Sequence, residues 1–161
     1  MPGEVFSFWR VVGNPNNPRR FTYGRSLHNG VPVKDYGGGL CQASGIIHHI
    51  SLMAGLEILE RHNHSVDLYT DETRFAPIGT DATVFYGYKD LRVRNNAGFP
   101  LRFILNVEEK RLKLTLESSC PINARELVID CRQDDRGVKS VAIRTTSGQT
   151  VSESTYLPLA E

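Results

Sequence analysis

Long apolar runs are missing from this chain: none approaches the roughly 18 residues that a membrane-spanning helix needs. The N-terminus, Met1-Pro2-Gly3-Glu4, lacks the basic and apolar pattern of a secretory leader, so the chain reads as cytosolic or as one that has lost its leader. Cysteine is scarce. The three cysteines, at 41, 120 and 131, do not form the paired short spacings of a zinc site, and Cys120 and Cys131 could be bridged across a hairpin without the sequence fixing that pairing. Neither sign of charge dominates, because 19 lysines and arginines are scattered among 18 aspartates and glutamates. That excludes the basic footprint of a nucleic-acid-binding surface. Internal repeats and low-complexity tracts are also absent. With 161 residues, the chain can bury a core without metals or disulfides, and nothing in it calls for a cofactor.

Glycine, by contrast, is concentrated where it matters. Gly37-Gly38-Gly39-Leu40-Cys41-Gln42 runs directly into an apolar helical pattern, so Cys41 is expected at a helix N-terminus behind a glycine loop. The unsatisfied N–H groups and partial positive charge of a first helical turn favour a thiolate over a thiol. Gly38 and Gly39 let an extended substrate approach the backbone closely, and Gln42 and Ser44 are candidate donors to substrate or to an oxyanion. A glycine turn with an inert cysteine packed behind it is the plain alternative.

Ala43, Ile46, Ile47, Ile50, Met53 and Ala54 recur at intervals of three and four, predicting one apolar helix face over about 41–54 with Gly55 as its stop. Most other segments read as strands. Val5 to Val12 alternates as a strand-like entry, Asn29-Gly30 signals a hairpin, and 82–86, 91–93, 101–107, 112–116, 138–145 and 150–156 follow as strands. One principal helix among many strands, with none between successive strands, predicts an α+β fold built mainly on antiparallel sheet. The expected organisation is one domain over 1–116, with 117–161 as a C-terminal β extension packed on it.

A cysteine nucleophile needs a base. His28 precedes the Asn-Gly turn and has nothing to fix it near Cys41. His48 lies about 10 Å along the helix axis from Cys41 and His49 is no closer, so both read as polar residues flanking the buried stripe. His62 and His64 share a face of an extended segment that Leu56 and Ile58 anchor, which turns the pair back towards the helix start. Only one can be the base, and His64 is favoured because Ser65 and Val66 lead it into the next structured stretch. Asp81, at a loop-to-strand boundary, is the candidate to orient the imidazole, with an Asx turn as the plain alternative; Asp67 would point to the opposite face.

These residues resemble the VanW domain family. The resemblance is carried by Pro2-Gly3-Glu4-Val5-Phe6-Ser7-Phe8, by the Gly37 to Gln42 run with Ser44, by Ala54-Gly55-Leu56-Glu57-Ile58 with Glu60-Arg61-His62-Asn63-His64-Ser65, and by Asp81-Ala82-Thr83-Val84, Tyr86-Gly87, Asp90-Leu91 and Asn95-Asn96. It spans about 2–107, and Ser147-Gly148 with Ser154-Thr155-Tyr156 is similar to what commonly follows the domain. The resemblance implies a cell-envelope setting, an association with vancomycin-resistance gene clusters, and a cysteine-dependent L,D-transpeptidase acting on peptidoglycan stem peptides. Gly45, Ile46, Ile47 and His48 depart from the small hydroxyl, Leu and Tyr residues more usual in that helix. Three other readings stand beside it: a cysteine peptidase or amidase on the same stems, a wall-binding module with an inert Cys41, and a metal site made by Cys41, His62, His64 and Asp81.

Overall fold

The computed structural model describes residues 1–28, 31–67, 69, 74, 76–109 and 111–158. Its elements run β1 (Val5–Ser7), α1 (Phe8–Val12), β2 (Tyr23–His28), β3 (Val31–Tyr36), α2 (Leu40–Met53), β4 (Glu57–Glu60), β5 (Arg92–Arg94), β6 (Leu101–Glu108), β7 (Arg111–Ser118), β8 (Leu127–Gln133), β9 (Lys139–Thr145) and β10 (Thr150–Tyr156). Every ladder between named strands is antiparallel. The sheets are small: β1-β5-β4 and β10-β9-β8 have three strands each, and β2-β3 and β6-β7 are hairpins. This mainly antiparallel, helix-poor architecture agrees with the class expected from the sequence. The Asn29-Gly30 turn lies outside the described residues, but the two strands it joins pair from Tyr23 with Tyr36 to His28 with Val31.

The strand-like entry stops earlier than its alternation suggests. Ser7 has extended backbone and accepts the N–H of Arg10 at 3.2 Å, so it caps α1, and Phe8 to Val12 coil into a helix that Gly13 ends at φ +85°. Asp90 fixes this corner by accepting the Ser7 hydroxyl at 2.6 Å and the Trp9 N–H at 3.1 Å. Phe8 is thereby turned into the core with Ala43, Ile47, Leu56, Ala82, Val84, Leu91 and Val93. Each such large side chain contributes on the order of 2 kcal/mol by leaving water.

Helix α2 ends as its sequence indicates. Gly55 is left-handed at φ +70°, its N–H bonds to Leu52 at 3.1 Å, and the Leu56 N–H reaches back to Ser51 at 2.9 Å. This paired bonding closes the last carbonyls and sends the chain into β4.

The expected strand over 82–86 is a different object. The chain there is extended yet pairs with no strand; instead the side chains of α2 bond its carbonyls. Ser44 donates to Ala82 at 2.6 Å, His48 donates through Nδ1 to Thr80 at 2.9 Å, and the Cys41 thiol is aimed at Val84 at 3.9 Å. Residues 41, 44 and 48 share one helix face, and carbonyls 84, 82 and 80 share one edge of an extended chain, so two periodicities mesh. His48 is therefore a core residue, 1% exposed, and not one flanking the stripe.

Candidate functional site

Segment 61–65 lies between two neighbours and alternates its contacts. The odd positions reach β10 and beyond: Arg61 binds the Glu153 carbonyl at 3.1 Å and the Ser154 hydroxyl at 2.6 Å, Asn63 binds the Thr155 carbonyl at 2.7 Å, and the Ser65 carbonyl accepts the Leu157 N–H at 2.7 Å. The even positions reach the 81–83 stretch: the His62 carbonyl accepts the Thr83 N–H at 2.7 Å, and the His64 N–H bonds Asp81 Oδ2 at 2.7 Å. Asp81 thus sits where α2, the 80–84 stretch and segment 61–65 converge.

His64 is oriented by that carboxylate. Its Nδ1 donates to Asp81 Oδ2 at 2.7 Å, which leaves Nε2 as the ring nitrogen facing elsewhere. Burial pulls the His64 pKa down, but hydrogen bonds to Asp81 and to Cys41 and the negative charge of both carry it up to about 9. The Cys41 side chain, half-buried at the first turn of α2, is thus near enough to act on the His64 charge, while its thiol is aimed at the Val84 carbonyl. No other described histidine is placed this way. His62, expected to share His64's face, turns its Nε2 to Glu60 at 3.2 Å, and the same Glu60 oxygen accepts the Asp90 N–H at 2.9 Å. Glu60, the last residue of β4, holds the His62 ring, so the two even-numbered imidazoles take different partners.

Asp81 is satisfied on both oxygens. Oδ2 takes the two His64 donors, and Oδ1 takes Arg61 Nη2 at 3.0 Å and the Tyr156 hydroxyl. Burial alone would raise its pKa; the bonds from His64, Arg61 and Tyr156 hold it down at about 2, so it is an anion throughout the physiological range. It does not cap its own turn, the plain alternative for this residue. Arg61 adds bonds to the Asp81 carbonyl at 2.7 Å and the Gly79 carbonyl at 2.9 Å, locking the loop that presents Asp81. Asp67 pairs instead with Arg74 at 2.7 Å and Lys139 at 2.8 Å.

The glycine loop has the strained geometry its composition implies. Gly37 and Gly39 are left-handed at φ +73° and +90°, and Gly39 is the N-cap of α2. A Cβ on Gly24 would lie 2.9 Å from the Cα and carbonyl oxygen of Gly38, so β2 presses backbone to backbone against the loop. The first-turn donors divide: Leu40 N–H bonds Gly37 at 3.3 Å and Gln42 N–H bonds Gly39 at 3.0 Å. Among the described residues no carbonyl takes the Cys41 N–H. Gln42 thus has only its exposed side chain to offer a substrate. Ser44, expected to face substrate, is fully buried, because its hydroxyl is committed to the Ala82 carbonyl.

Arg61, Ser154 and Tyr156 enter the sequence reading only within the stretches that carry the family resemblance, with no role in the site. Arg61 could have been found from its place between Glu60 and the histidines; for Ser154 and Tyr156 the resemblance of their stretch gave no hint of contact with Asp81 or Arg61. Cys120 and Cys131 are exposed, unbridged thiols. Among the described residues, no three histidine, cysteine, aspartate or glutamate side chains are grouped to hold a metal. A surface concavity of about 510 Å³ is lined by residues of β8, β9 and β10 together with Asn63, and Cys41 does not line it.

A cysteine at a glycine-led helix start and a histidine bonded to a half-buried carboxylate stand near one another on a mainly antiparallel scaffold. The chain belongs to the VanW family: the family model described as VanW like protein matches residues 1–117. It is 31% identical over 111 residues to the vancomycin B-type resistance protein VanW of Enterococcus faecalis, covering 69% of this chain and 40% of that protein. It is 32% identical over 124 residues to the uncharacterized protein YoaR of Bacillus subtilis, covering 77% of this chain and 39% of that protein. The chain thus spans about two fifths of the length of these relatives. No solved structure matches it significantly. Among the described residues no helix is long and apolar enough to cross a membrane.

Proposed function

We propose that this chain is a cysteine acyltransferase of L,D-transpeptidase type, acting on peptidoglycan stem peptides at the cell envelope. The observation that carries the reading is His64, fixed by Asp81 through Nδ1, with Cys41 at the glycine-led start of α2 near enough to raise its pKa. Family membership, and a relative named for vancomycin resistance, supply the cell-wall setting.

In this reading His64, whose pKa is raised, already holds the proton that Cys41 gives up, and the Cys41 sulfur attacks the carbonyl carbon of the amide that follows an m-diaminopimelate residue. The N–H of Cys41 at the start of α2 is the donor for the oxyanion that forms. As the C–N bond breaks, imidazolium His64 gives its proton to the leaving amine, and a thioester remains on Cys41. The amine of a second stem then attacks the thioester and gives a proton to His64 as the C–S bond breaks, releasing the Cys41 thiolate and a 3-3 cross-link. Asp81 stays ionised and holds the His64 tautomer. His62 has no part in these steps, since its ring is held by Glu60.

The test is incubation with disaccharide tetrapeptide followed by mass spectrometry. Cross-linked dimers that vanish in Cys41→Ala are the expected result. Trimmed monomers without dimers would recast the same site as a peptidase, with water in place of the second amine. No product from the folded protein would overturn the acyl-transfer reading and leave a binding module.

A further inference from the structure

The residues that finish the site lie beyond the segment the family model matches. That match ends at residue 117, and β10 begins at Thr150. Yet Tyr156 is 3% exposed and gives its hydroxyl to Asp81 Oδ1, and Ser154 is 6% exposed and accepts Arg61 Nη1 at 2.6 Å. Both belong to the face of β10 that points inward. Ser154 pairs with Val141 in β9, and a Cβ on Gly79, at the root of the Asp81 loop, would lie 2.8 Å from the Val141 side chain. The C-terminal sheet is thus braced against the loop that carries the acid.

We propose that Tyr156 and Ser154 are positioning residues of the Cys41 site, so that the C-terminal sheet is a working part of the active centre and not an appendage to it. The inference rests on the reading of Cys41, His64 and Asp81 given above. Tyr156 acts directly on the acid: with Arg61 it occupies Oδ1, which fixes the carboxylate so that Oδ2 meets the His64 ring edge and backbone N–H together. Ser154 acts one step further out, steadying the guanidinium that grips the Asp81 carbonyl, its Oδ1 and the Gly79 carbonyl. Without the tyrosine hydroxyl the carboxylate can rotate, the imidazole loses its fixed direction, and proton transfer from Cys41 becomes less frequent.

The experiment is the rate of Cys41 alkylation by iodoacetamide between pH 5 and pH 10, with the full chain carrying Cys120→Ser and Cys131→Ser so that a single thiol reports. Tyr156→Phe keeps the ring that fills the core and removes only the hydroxyl. The expected result is a rate reduced about fivefold to tenfold near pH 7 that converges on the parent rate near pH 10, where thiolate forms without help. A change in accessibility alone would move all rates equally and would overturn the proposal, as would a superimposable profile. Circular dichroism checks the fold; if Tyr156→Phe does not fold, Ser154→Ala is read in the same way through Arg61. His64→Asn separates the two layers of the argument. If it flattens the profile and Tyr156→Phe does not alter it, the positioning role fails alone. If His64→Asn also leaves the profile unchanged, the reading of the site fails with it.

Discussion

His48 and Thr80 share a buried hydrogen bond of 2.9 Å, the last rung of the series that Cys41 and Val84 begin at the start of α2. Seven residues of helix advance about 10 Å and four residues of extended chain about 13 Å, so the two run side by side without strain. The consequence for function is mechanical. The same rungs that fix the start of α2 also fix the stretch carrying Asp81, so Cys41 and Asp81 are referenced to each other through the core.

That buried histidine makes the fold sensitive to acid. Burial, reinforced by the Arg61 charge, holds its pKa at about 4 against an ordinary 6.5, while the Thr80 carbonyl opposes the shift only in part. Between those values the unfolded chain binds a proton that the folded chain refuses, so stability rises with pH there and is lost as pH falls. The full effect is about 3 kcal/mol, complete near pH 4. Urea titrations at pH 6.5 and 4.5 should show this loss. His48→Asn keeps a donor for Thr80 without a titrating group and is expected to be less stable at pH 6.5 yet to lose less on acidification. An equal loss in the variant would count against His48 as the cause.

His64 makes the opposite contribution. Its folded pKa is about 9, above the unfolded 6.5, so its stabilisation is complete below 6.5 and disappears as pH rises through 9. Asp81 does not add to this limb: held at about 2, it contributes above its ordinary range and is lost only in strong acid. Stability should therefore decline from pH 6.5 to pH 9.5, and His64→Asn should flatten the decline while leaving the acid limb of His48 in place. Thermal denaturation across that range reads the difference. A decline that survives the substitution would place the titrating group elsewhere.

How far the sequence reveals this site depends on how local each signal is. Cys41 was legible because its glycines, its helix start and its apolar stripe are all within a few residues. His64 and Asp81 were found as candidates by alternation and boundary chemistry, yet alternation alone could not separate His64 from His62, because only their partners, Asp81 and Glu60, tell the two rings apart. His48 was misread as a flanking residue since hydropathy ranks imidazole as polar, and only a carbonyl waiting at Thr80 makes it a core residue. The 82–86 stretch has strand composition because it is extended and half-buried, but composition is blind to the identity of its bonding partner. Arg61, Ser154 and Tyr156 act across separations of 20 to 93 residues. No pattern in a single sequence marks such contacts.

Two glycines test whether the backbone itself positions Cys41, because the same substitution should have opposite signs at each. At Gly24 an added methyl would lie 2.9 Å from the Gly38 backbone, which has no side chain to swing aside. Gly24→Ala is expected to cost about 1–3 kcal/mol and to slow Cys41 alkylation by displacing the loop that caps α2. At Gly45 the methyl would meet Asp81 Cα and Ala82 N at 3.6 Å, an ordinary contact within a helix. Gly45→Ala should therefore stabilise by about 0.5–1 kcal/mol, the helical preference of alanine, with the alkylation rate unchanged. Chemical denaturation gives both stabilities and iodoacetamide both rates. If Gly24→Ala lost stability with no change in rate, the close approach of β2 would be a packing feature only, and the glycine loop would hold Cys41 in place without it.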